Sequence, residues 1–210
     1  PCGTLFPYTT LFRSLATAPP ATFREACQWL AFFEMAARMY NGSGALGALD
    51  QILQPYYERD VANGILDDDE AVFHLACFLL KDPHYSQLGG PDASGTKDMT
   101  TRVSFLVLEA IHRMKIPANV AVRVWDGLDE DLLDLAVKYL FEDGINSPLF
   151  IGDKGLSEGF AHNGYPLELA RQRVKVGCHW CALPGREYTL NDVVKINFVK
   201  VFDVALREMT

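Results

Sequence analysis

The stretch from Val103 to Val176 constrains the fold most, because helix-period and strand-period apolar patterns follow one another there with only short breaks between them. Val103, Leu106, Val107, Ala110, Ile111 and Met114 recur every three or four residues, which puts them on one helix face. Pro117 ends that helix. Asn119 to Trp125 then alternates, with Val120, Val122 and Val124 on one face and Ala121, Arg123 and Trp125 on the other, the period of a strand. Asp129, Glu130 and Asp131 open a second helix at the end where the macrodipole favours negative charge. Leu132, Leu133, Ala136, Val137 and Leu140 form its stripe, and Gly144 stops it. Leu149 to Ile151 reads as a short strand, Pro166 to Gln172 as a short helix and Val174 to Val176 as a strand. Helices that alternate with strands bury their stripes on a largely parallel sheet, so the predicted class is α/β.

Upstream the patterns predict helices only. Phe23 to Tyr40 has Thr22 as its cap and Glu25 as capping-box partner, and its apolar residues run nearly all round, which predicts burial. Leu46 to Asn63 and Asp67 to Leu80 continue as helices, and glycines punctuate Tyr85 to Lys97 as a loop able to approach another element closely. Leu190 to Glu208 reads as a last helix. No repeat, low-complexity linker or composition shift divides the chain, which predicts one domain or part of one. A net charge of −8 without a Lys/Arg cluster argues against nucleic acid as a partner. No apolar run approaches the roughly 18 residues of a membrane span. Five scattered cysteines, an odd number, fit free thiols in a reducing cytoplasm better than a disulfide framework.

The residues with the most chemistry are Gly177 to Tyr188, GCHWCALPGREY, in which Cys178 sits in a short apolar turn followed by a Pro-Gly bend. Cys178, His179 and Cys181 would also suit a zinc- or thiol-binding module, although the four-ligand set of a structural zinc has no second CxxC or HxxxH nearby. Inert, buried cysteines are the third reading. The dodecapeptide resembles the cysteine loop of the glycyl radical enzymes, the family of pyruvate formate-lyase and the glycerol and diol dehydratases, whose usual form is GCVEP followed by PGxEY. Further segments resemble the family in its own order. LGGPDASGTKDMTTRVSFLVLEAI is similar to its GGxDxxGxDxT stretch, VAVRVWDG to a barrel strand, and GINSPLFIGDKG and NGYPLELARQRVKVGC to its approach to the cysteine. NGSGALGALDQILQPYYERDVANGILDDDEA is similar to its upstream helical segment.

The resemblance implies part of a ten-stranded α/β barrel with surrounding helices. It also implies a hydrogen-abstracting thiyl radical on Cys178 and a small, hydroxylated organic substrate. The parent activity would be a lyase, a dehydratase or a formate acetyltransferase-like reaction. It implies a glycyl radical on a residue outside this chain, a radical-SAM activating enzyme as partner, and a homodimer; no metal ligand is implied. His179 is the candidate acid or base, or a core residue; Trp180 lines an apolar pocket or shields the radical. Asp192 contacts substrate hydroxyls or caps the last helix, and Phe150, with Arg123, faces the barrel interior. The loop departs from the family where Trp180 replaces the usual Glu and His179 replaces a second cysteine. Residues 7–14, PYTTLFRS, resemble translated sequencing-adapter sequence, so residues 1–20 are expected to be a tail and 21–210 a partial catalytic domain. With no glycyl radical segment among its residues, the chain is expected to be an internal fragment, inactive alone.

Overall fold

In the computed structural model, which describes residues 15–41, 45–81, 85–176, 180–184, 186–187 and 196–209, the elements alternate. They run α1 (Phe23–Asn41), β1 (Ala45–Ala48), α2 (Leu49–Ala62), α3 (Asp68–Lys81), β2 (Tyr85–Leu88), α4 (Arg102–Met114) and β3 (Val120–Val124). Then follow α5 (Glu130–Asp143), β4 (Leu149–Gly152), α6 (Asp153–His162), α7 (Leu167–Arg171), β5 (Val174–Val176), β6 (Trp180–Ala182) and α8 (Phe198–Glu208). Strands β1 to β4 lie side by side in chain order, every neighbouring pair parallel. Strands β5 and β6 form a separate antiparallel hairpin that packs against β1 and β2. The α/β class and the parallel sheet are as the sequence patterns predict.

Register assigns the sheet two faces. Leu88 lies beside Val122, and Val122 beside Phe150, while Gln87 lies beside Ala121 and Arg123 beside Ile151. Leu88, Val120 and Val122 join one core with Leu53 of α2, Leu75 of α3, Val107 of α4 and Leu132 of α5, all fully or almost fully buried. Each such side chain contributes about 1.5–3 kcal/mol through apolar area removed from water. The other face carries Gln87, Ala121 and Arg123 and receives the hairpin.

Local signals place the helix ends well. Asp129 caps α5 by accepting the Leu132 N–H at 3.1 Å, and Gly144 closes it in the left-handed region at φ 62. At α1 the Thr22 hydroxyl accepts the Glu25 N–H at 3.2 Å, but Glu25 reaches back to the Ala21 N–H at 2.7 Å, one residue before the cap. Four expectations are corrected. The first third is not all helical, because Ala45–Ala48 and Tyr85–Leu88 are sheet strands, recruited by pairing rather than by propensity. Helix α1 is only half buried: Trp29, Phe33, Met35 and Met39 are exposed. Asp153–His162, which the sequence patterns left unassigned, is a helix despite Gly155 and Gly159. Trp180–Ala182 is a strand, so the cysteine segment belongs to a hairpin. Leu15, expected in the tail, is buried. Among the described residues no helix is long and apolar enough to cross a membrane.

Candidate active site beneath the cysteine hairpin

Parallel strands present their carboxyl ends together, and four connections gather there. After β1 comes Asp50, after β2 the Gly89–Thr100 loop, after β3 Trp125 and Asp126, and after β4 Asp153. In α/β folds this edge is where sites are built, because the loops converge while the strands stay rigid.

Asp50 organises the first two connections. Its buried carboxylate accepts the Gly89 N–H at 2.7 Å, the Ser104 hydroxyl at 2.6 Å and the Gln51 N–H at 2.8 Å. Burial pushes its pKa up to about 6, with those hydrogen bonds opposing the shift. The glycine-rich loop then folds on its own side chains. Asp92 takes the Ser94 hydroxyl at 2.8 Å and the Thr96 and Lys97 N–H groups at 3.0 and 3.2 Å, and these bonds, that of Ser94 first, hold its carboxyl well below the usual range. Asp98 takes the Trp125 Nε1–H at 3.0 Å, tying the loop to the end of β3.

Two arginines lie under that loop. Arg123, buried, donates through Nε to Asp153 at 2.8 Å and through Nη2 to the same carboxylate and to the Arg171 carbonyl at 2.9 Å. Arg171 in turn donates to the Ser94 carbonyl at 2.6 Å. A Cβ at Gly90 would stand 2.8 Å from Arg123 Nε, and one at Gly95 only 2.4 Å from Arg171 Cζ, which is why glycine occupies both places. A groove of ≈ 460 Å³ opens between this layer and the hairpin, lined by Gln87 and Arg123 from the sheet, Asp92 from the loop, and Arg171, Leu183 and Arg186.

The hairpin seats on β1 because Gly47 has no side chain: its φ is +75, and a Cβ would meet Val174 Cγ1 at 3.0 Å. Val174 pairs with Ala182, Lys175 with Cys181 and Val176 with Trp180. Three residues of sequence, Gly177, Cys178 and His179, separate the last pair. Cys178, His179 and Asp192 lie outside the described residues, and of Trp180 the backbone alone is described. Cys181 is half-buried in β6. Arg123 faces the groove as expected. Phe150 aligns in register with Val122, and Ile151 lies beside Arg123. Asp153, the partner of Arg123, escaped sequence reading because the glycines of α6 obscured the helix that it opens.

This architecture has close counterparts. Residues 10–210 match the family described as pyruvate formate lyase-like. The probable dehydratase YbiW of Escherichia coli strain K12 is 29% identical, over 91% of this chain and 27% of its own length. The glycerol-bound B12-independent glycerol dehydratase of Clostridium butyricum superposes with a TM-score of 0.75 at 26% identity, over 84% of this chain and 25% of its own. For fold alone, a glycyl radical enzyme from Archaeoglobus fulgidus superposes with a TM-score of 0.79 at 23% identity, over 87% of this chain and 26% of its own. The chain thus spans about a quarter of the length of these relatives. The parallel sheet agrees with that match, and the chain belongs to the pyruvate formate lyase-like family of glycyl radical enzymes.

Proposed function

We propose that this chain is the cysteine-loop portion of the catalytic domain, residues 21–210, of a glycyl radical lyase or dehydratase acting on a small hydroxylated substrate, with Cys178 as the hydrogen-abstracting residue. The observation that carries the reading is the hairpin: β5 and β6 pair as far as Val176 and Trp180, β5 lies against β1 and β2, and Gly177-Cys178-His179 join the two strands in sequence. A reactive thiol needs to be held in position and away from bulk water.

In the proposed reaction the Cys178 sulfur, as a thiyl, takes a hydrogen atom from a substrate C–H, forming S–H and leaving the unpaired electron on carbon. A proton delivered to the neighbouring hydroxyl lets it depart as water while another proton leaves the substrate. The product radical then recovers the hydrogen atom from the S–H, so no external oxidant or reductant is consumed. His179 is proposed as the acid or base, since an imidazole titrates near neutrality and the usual Glu position holds Trp180. Trp180 is assigned to apolar shielding and Asp192 to a substrate hydroxyl. A glycyl radical, installed by a radical-SAM activating enzyme elsewhere in the full-length protein, would supply the unpaired electron. A cytoplasmic homodimer completes the reading, and the dehydratases among the relatives support the lyase branch over acyl transfer.

The test uses the full-length polypeptide, activated anaerobically with the activating enzyme and given glycerol and a panel of small diols and hydroxy acids. A glycine-centred doublet in electron paramagnetic resonance and loss of water from a panel member are expected. Cys178→Ala should keep the doublet and lose turnover; undiminished turnover in that variant would reject Cys178 as the abstracting residue.

A further inference from the structure

Arg173 stands immediately before β5, with its side chain 4% exposed. Its guanidinium sits in the corner formed by two rings, Cζ lying 4.2 Å from the centroid of Phe160 and 4.2 Å from that of Tyr165. The two rings also meet each other edge to face, their centroids 5.8 Å apart. The donors in the plane of the guanidinium point across the hairpin. Nη1 donates to the Cys181 carbonyl of β6 at 3.2 Å, and Nη2 to Glu187 Oε1 at 2.9 Å. Glu187 Oε2 accepts the Leu183 N–H at 3.0 Å, just beyond the end of β6. The pair therefore joins the entry of the hairpin to its exit, and the rings anchor both to the end of α6. Neither residue lines the groove, so neither is placed to touch a ligand there.

We infer that the Arg173–Glu187 clamp positions Cys178, by fixing the base of the hairpin that carries it. This rests on the reading of Cys178 as the hydrogen-abstracting residue. Strand β5 runs three residues from Val174 to Val176, and at about 3.3 Å per residue a tilt of about 6° at its base moves its far end by about 1 Å. A misplacement of that size costs about 100-fold in rate when reacting atoms must meet in a near-attack geometry. The residue types match the task. A guanidinium can rest its charge against aromatic rings while donating in its plane, and a carboxylate offers two acceptors at this spacing to an arginine and a backbone N–H.

Two measurements separate the clamp from the radical reading. In the unactivated protein, alkylation by iodoacetamide is followed at Cys178, with buried Cys27 as internal standard. Arg173→Met and Glu187→Ala should raise the Cys178 rate about tenfold by letting the hairpin open locally, and Glu187→Gln, which keeps one acceptor, should fall between. In the activated full-length protein, the same two variants should keep the glycyl doublet and the KM of the wild type but lose about 100-fold in kcat. Unchanged alkylation rates, or unchanged kcat, overturn the inference. Loss of the doublet together with kcat overturns it too, since Arg173 would then serve the fold in general. Full turnover by Cys178→Ala removes the radical reading alone, and the alkylation rates then still decide whether the clamp orders the hairpin.

Discussion

Asp50 holds three donors in a place where water cannot reach, and its pKa of about 6 sets a direction for stability. A carboxyl whose folded pKa stands above the unfolded value of about 3.9 contributes its full stability below that value and loses it as pH rises through about 6. The protein should therefore be less stable at pH 7.5 than at pH 4.5 by about 2 kcal/mol from this group, before other groups are added. Asp50→Asn should flatten that part of the profile in urea denaturation series at the two pH values; an unaltered profile would mean that Asp50 titrates normally. Arg123 and Asp153 make the complementary case. Removing one partner leaves the other charged and buried, so Arg123→Met should cost about 3–5 kcal/mol, while Arg123→Met with Asp153→Leu should recover most of it. Equal losses in the single and double variants would rule out the pair as the source. Sequence pattern alone shows Arg123 on one side of a strand. It does not show that Asp153, thirty residues on, would meet it, because that pairing depends on β3 and β4 lying parallel.

At the scale of elements, legibility followed amphipathicity. Helix α4, with a clean stripe from Val103 to Met114, and helix α5, with a side-chain cap and a terminal glycine, carry their own instructions. Strands β1 and β2 do not: ALGA and YSQL have little β-propensity and are strands because neighbours complete their hydrogen bonds. The cysteine hairpin is an intermediate case, since Val174–Val176 is legible but Trp180–Ala182 is defined by its pairing. Gly47 is the point where one element depends on another. Gly47→Ala would strain a left-handed residue and push on Val174, so it should cost about 1–3 kcal/mol and loosen the hairpin. Amide hydrogen exchange reads this directly. The backbone amides of Lys175 and Cys181 should exchange faster in the variant, those of α4 should not, and uniform protection would contradict the seating argument.

For the whole molecule the surface matters as much as the core. Helix α8 buries none of its residues; Val199, Phe198 and Phe202 are 80%, 78% and 65% exposed. Strand β4 ends the sheet with a neighbour on one side only among the described residues. Contiguous apolar surface and a bare strand edge favour association. The 210-residue chain on its own should accordingly elute in gel filtration ahead of its 23.4 kDa monomer position and bind a hydrophobic dye. Val199→Lys with Phe202→Glu should reduce both; a dye-silent monomer in the parent chain would refute the expectation. The chain's apolar periods, caps and glycines determined by themselves that it is an α/β protein, and the residues around Cys178 determined its family, because both are local properties of short segments. Tertiary structure alone decided which side of the sheet is the interior, that Arg123 meets Asp153 there, and that Arg173 and Glu187 close the cysteine hairpin. Those relations join residues apart in sequence: the parallel register of β3 and β4 brings Arg123 to Asp153, and the antiparallel pairing of β5 with β6 brings Arg173 to Glu187.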